Sequence, residues 1–180
     1  VVGYHFGLLS RKPGFESWGA RHYQRIDKMR LGYACINMSI NASTNRRCIK
    51  RTFKEKGIEY VSYLALENCK NIIPILRWNY ENDVFVWRLS SELFPWMSEY
   101  EFEDLPDIDE IRQVLAEVGR LSKELGIRLS FHPGPFNVLA SPKEHVVEKT
   151  IKELNQHSEI FNMRGFEPSH ENKIKIQSYK

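Results

Sequence analysis

The chain has 180 residues, 42% hydrophobic and 27% charged, which suits one domain with a substantial core and excludes a disordered or low-complexity polymer. No apolar run approaches the roughly 20 residues that span a bilayer, and the first thirty residues lack an apolar signal segment, so an intracellular protein with no membrane partner is expected. The net charge of +3 is too small to mark a nucleic-acid binder by itself, so such a role requires a local basic patch. Three cysteines, Cys35, Cys48 and Cys69, form no C-x-x-C pair; small buried hydrophobes are expected, rather than a disulfide framework or thiolate zinc site.

Residues 1–28 are rich in Gly, Arg and aromatics without a clear period, and we read them as an N-terminal extension ahead of a domain over 29–180. LGYACIN (31–37) reads as a short strand. NRRCIKRTFKEK (45–56) carries six Lys or Arg in twelve positions, a solvated helix face or a phosphate-contacting patch. Val61, Leu64, Leu66, Ile72, Ile73, Leu76 and Trp78 have helical spacing over 59–80, with Pro74 expected to kink or break that segment. VFVWRLSS (84–91) is strand-like. An acidic loop leads to a helix at about 108–125, striped by Ile111, Val114, Leu115, Val118, Leu121 and Leu125 and ended by Gly126. IRLSFH (127–132) is a strand, 141–165 a helix opened by Ser141-Pro142 and closed by Gly165, and NKIKIQ (172–177) a last strand. This alternation predicts an α/β fold with parallel strands in the order 1-2-3-4, fitting half of a (β/α)₈ barrel or a small open sheet.

Period-2 reading assigns Phe85, Trp87 and Leu89 to one face of the second strand, and Leu129 and Phe131 to one face of the third. Asn37, Ser90, His132 and Gln177 then fall at the carboxyl ends, where parallel α/β proteins build their sites. His132 is the candidate ligand, at a strand tip stiffened by Pro133 and Pro135, with Gly134 letting the chain turn. The other histidines, His5, His22, His145, His157 and His170, read as surface residues. Of the acidic residues around 99–110, Glu99 lies closest after the second strand. Phosphate-binding glycine loops, H-E-x-x-H and G-x-S-x-G are absent from the sequence.

RLGYACIN, ASTNR (42–46), VFVWRLSSELFPW and LSFHPGPFNVLASP, in that order, resemble the UV damage endonuclease family over residues 29 to about 176. The resemblance implies a (β/α)₈ barrel, a divalent metal cofactor described as manganese, and incision of the backbone 5′ to ultraviolet photoproducts in double-stranded DNA. It assigns His132 to the metal and makes Glu99 a substitute oxygen ligand. It places Tyr33, Asn37, Asn45 and Arg46 against DNA, and Pro135 and Phe136 in the duplex opposite the lesion, where an apolar wedge kinks DNA. Proline replaces the glutamine common in the family at position 135, and Gln177 stands where the family supplies another ligand histidine. We therefore expect the first half of the barrel, with two metal ligands at best where a catalytic site wants three. An inactive DNA-binding fragment and a sugar-acting metal-dependent isomerase of the same barrel type are the alternatives.

Overall fold

The structure is a computed structural model and describes residues 30–134 and 137–165, the His132 side chain excepted. The N-terminal extension over 1–28, Pro135, Phe136 and the strand expected at 172–177 with Gln177 lie outside the described residues, as do His5, His22 and His170. In chain order the elements are β1 (Leu31–Ala34), α1 (Lys50–Lys70), α2 (Ile72–Glu81), β2 (Val84–Ser90), three 3₁₀ turns (Ser91–Leu93, Met97–Glu99, Phe102–Asp104), α3 (Ile108–Glu124), β3 (Arg128–His132) and α4 (Glu144–Met163). The strands form one parallel sheet ordered β1-β2-β3, as the alternating pattern requires. Trp87 pairs with Leu129 and Leu89 with Phe131, so the face read as apolar is one continuous surface. All four side chains are fully buried, in one cluster with Val61, Ile72, Ile75, Leu115, Val118 and Ile160 from the helices. Each large side chain so removed from water contributes about 1.5–3 kcal/mol.

Several boundaries differ from expectation. β1 ends at Ala34, because Cys35 adopts a left-handed φ of 64° that stops the alternation. The first helical segment begins at Lys50 instead of 59; KRTFKEK is polar nearly all round and shows no period. Phe53 is its apolar anchor, stacked on Trp96 at 6.5 Å. Gly57, at φ 74°, breaks α1 internally, and Asn71 joins it to α2. The break falls at Asn71, as expected of Pro74: the proline sits in the first turn of α2, where its missing N–H has no intrahelical partner to lose. α4 starts at Glu144 after Lys143, without a side-chain cap; the Ser141 hydroxyl accepts the Lys143 N–H at 3.2 Å in a turn before the helix. The cysteines are all free, but Cys69 alone is buried, while Cys35 and Cys48 are half-buried.

His157 corrects the surface reading. Its ring is 1% exposed and stacks on Phe131 with centroids 4.7 Å apart. It faces inward because it shares the stripe of Thr150, Gln156, Ile160 and Phe161 on α4.

Candidate functional site

The parallel register sets the strand tips side by side: Ser90 pairs with His132, and Ala34 with Arg88 two residues earlier. The loops that follow carry the polar groups.

After β1, Asn37 is 7% exposed. Its amide donates to the Tyr33 hydroxyl at 3.0 Å, and its Oδ1 accepts the Ser39 N–H at 2.8 Å, closing an Asx-type turn. Tyr33 lies in register with Trp87 on the helix-facing side, and its hydroxyl donates to Asn79 Oδ1 of α2 at 2.9 Å. Burial raises the Tyr33 pKa, opposed by its two amide partners. Tyr33 and Asn37 are thus one brace between strand tip and helix layer. Asn45 is half-buried and accepts the Ser43 hydroxyl at 2.6 Å. Arg46 is exposed, while its backbone is bonded to Asn68 of α1 in both directions, at 2.8 and 2.9 Å. Arg47, Lys50, Arg51 and Lys54 are exposed along the same segment; Arg51 pairs with Glu55 at 2.7 Å, and Lys50 lies 5.8 Å over the Trp96 ring.

After β3, Asn137 is buried and donates to Glu153 of α4 at 2.7 Å and to the Gly134 carbonyl at 3.2 Å. Burial pushes the Glu153 carboxyl pKa up; its bonds with Asn137 and the Gly134 backbone pull it back, and Glu92 adds repulsion. A β-carbon on Gly134 would lie in ordinary contact with Ser91, Asn137 and Glu153, so the loop after β3, the turn after β2 and α4 meet there.

Glu99 is engaged elsewhere. Its carboxylate binds Lys149 of α4 at 3.0 Å, and that hydrogen bond holds it below the ordinary carboxylate range. Among the described residues no three His, Cys, Asp or Glu side chains converge as a metal cage.

Glu153 and Asn68 escaped the sequence reading. For Asn68 the available signal was a polar residue inside an apolar stripe, four residues after Leu64 and before Ile72; Glu153 lies among polar neighbours and gave none.

Parallel strands with connecting helices on the Trp87 face, and polar and basic groups gathered at the carboxyl ends, define a parallel α/β protein with its chemistry at that rim. The model of the family described as UV-endonuclease UvdE matches residues 29–178. The chain belongs to that family. It is 32% identical over 147 residues to the UV DNA damage endonuclease of Clostridium perfringens, covering 81% of this chain and 34% of that protein. It is 34% identical over 138 residues to the UV-damage endonuclease of Schizosaccharomyces pombe, covering 74% and 23%. The crystal structure of SacUVDE superimposes with a TM-score of 0.67 at 32% identity, over 82% of this chain and 48% of that one. The chain thus spans less than half the length of each. No described helix is long and apolar enough to cross a membrane.

Proposed function

We propose that residues 29–180 form the first half of a (β/α)₈ barrel, with 1–28 as an extension, in a DNA repair endonuclease that cuts the phosphodiester backbone 5′ to ultraviolet photoproducts. Its substrate is double-stranded DNA, met at the carboxyl-end rim. Tyr33 and Asn37 shape the loop after β1, Asn45 and Arg46 meet the backbone, and Pro135 and Phe136 wedge the duplex opposite the lesion. The observation that carries this reading is the exposed basic segment over 46–54 directly after the β1 loop, in a chain of this family.

Manganese is the metal proposed, with His132 and Glu99 as its ligands. The fit is poor at Glu99, whose carboxylate Lys149 already holds, and the His132 side chain lies outside the described residues. No catalytic step is therefore derived through the metal. The Glu99–Lys149 pair favours a second reading, in which this chain binds duplex DNA without cutting it.

Fluorescence anisotropy with intact and irradiated duplexes at two salt concentrations tests the binding that both readings share. Affinity should fall steeply with salt, as phosphate contacts release counterions. Arg46→Ala should weaken both duplexes equally, and Phe136→Ala should narrow the preference for damage. Salt-independent affinity, or no binding by a folded monomer, would sink both readings; manganese-dependent nicking by this chain would exclude the second.

A further inference from the structure

Asn68 lies on α1, is 0% exposed and makes four hydrogen bonds to backbone. Its Oδ1 accepts the Arg46 N–H at 2.8 Å, and its Nδ2 is shared among the carbonyls of Arg46 at 2.9 Å, Glu92 at 3.2 Å and Leu93 at 3.1 Å. A surface loop residue ordinarily leaves its backbone to water. Here a buried amide takes both peptide groups of an exposed arginine and ties them to the turn after β2. A second pin follows two residues on: the Trp96 indole N–H donates to the Cys48 carbonyl at 2.9 Å. Trp96 itself holds a left-handed φ of 58°, a conformation kept only where the surroundings over-determine it.

Arg47 therefore lies between two pinned peptides, and Arg46 on one of them. Among the described residues neither guanidinium forms an ion pair, whereas Arg51, Arg112 and Arg120 each do. Their backbone is anchored and their charged heads are open. That is the arrangement phosphate recognition favours, since an anchored backbone has little freedom left to lose when the guanidinium binds.

We propose that Asn68, assisted by the Trp96 indole, is a positioning residue for DNA binding: it holds the Arg46 peptide so that Arg46 and Arg47 meet the phosphate backbone. This rests on the DNA-binding reading above. It goes further in assigning the geometry of the contact to two side chains that touch no DNA.

Hydrogen exchange on the unaltered chain tests the clasp, and the result depends on no variant folding. The Arg46 amide should be protected like a strand amide although its residue is exposed and in a loop; exchange at the rate of a free loop would overturn the proposal. Anisotropy over a salt series with intact duplex tests its consequence. Arg46→Ala should lower the salt slope by about 1 and Asn68→Ala by about 2, since it releases Arg47 as well, and the double variant should go no lower than Asn68→Ala, because the three act as one unit. A purely structural Asn68 would lower the melting temperature and leave the slope unchanged, and that result rejects the inference. Should Asn68→Ala fail to fold, Trp96→Phe removes only the indole donor while keeping a ring against Phe53. It too should reduce the slope, and a wild-type slope would count against the proposal. If the unaltered chain binds without salt dependence although its Arg46 amide is protected, the DNA reading has failed, and this inference with it. If it binds steeply with salt and the variants match it, this inference alone has failed.

Discussion

Glu153 sits under the loop after β3, accepting from Asn137 at 2.7 Å while burial raises its pKa. A carboxyl raised in the folded state binds protons more readily there than when unfolded. Its ionisation therefore weakens the fold as pH rises above the ordinary carboxylate range, and the penalty grows until pH passes the raised folded-state value. Glu153→Gln keeps an acceptor for Asn137 and removes the charge. Its melting temperature at pH 7 should equal or exceed the wild-type value, and the gap should close as pH falls to the carboxylate range. Glu153→Ala should melt lower at both pH values, because it strips Asn137 and Gly134 of a buried partner. Scanning fluorimetry at pH 7 and pH 4.5 separates the two; equal losses in both variants would show that charge is irrelevant here. Beside it, Gln156 donates to the Met97 and Tyr100 carbonyls at 2.8 and 2.9 Å, so α4 pins the turns after β2 as firmly as the loop after β3.

Among the elements, α3 and α4 meet through Gly119. A β-carbon there would overlap the Arg164 carbonyl at the end of α4. In an isolated helix Gly→Ala gains about 1 kcal/mol, so propensity alone favours Gly119→Ala. The steric conflict is with backbone, which cannot swing aside as a side chain does, and overpacking of this kind costs about 1–3 kcal/mol or more. The clash wins. Gly119→Ala should lower the urea midpoint, whereas Ala116, elsewhere on α3, should tolerate a change to Ser with little effect. A rise in midpoint for Gly119→Ala would show that the helices separate freely. The opposite end of α3 is tied down too: the Ser62 hydroxyl of α1 bonds the Asp107 carboxylate at 2.7 Å and accepts its N–H at 3.0 Å.

For the whole molecule, the response to acid follows from His157. Burial pushes its pKa from 6.5 down to about 4, and the neighbouring Arg164 cation pushes the same way. Arg164 lies 4.3 Å from the Phe161 ring and 5.2 Å from that of Phe131, so two cations would share one apolar pocket if His157 were protonated. The unfolded chain takes that proton near pH 6.5 and the folded chain does not until about pH 4. The His157 contribution is therefore nil above pH 6.5 and costs about 3 kcal/mol as pH falls to about 4. His157→Phe should preserve the stack on Phe131 and flatten the stability profile between pH 6.5 and pH 4. Urea titrations at pH 7, 5.5 and 4.5 check this, and an unchanged pH slope in the variant would assign acid sensitivity to other groups.

The order and direction of the three described strands were legible in the chain by itself, because they rest on local periods. Alternation over 84–90 and 128–132 selected Trp87, Leu89, Leu129 and Phe131 as the buried face, and the stripe over 108–125 selected the face of α3. The strand-end placement of Ser90 and His132 followed, as did the family, through four short segments. Periodicity failed where residues act across the fold. Asn68 meets Arg46 from 22 positions away, Glu153 meets Asn137 from 16, and Gln156 meets Met97 from 59. The stripe around Asn68 marks it at most as buried, and nothing local names the partner of any of the three. His157 was misread for the same reason, since an imidazole beside polar neighbours gives no sign that Phe131 of another element covers it. Hydrophobic patterning acts over two to four residues and decides which elements form and which face turns inward. A buried polar group is decided by whichever partner the packed elements bring to it, and only the tertiary structure contains that.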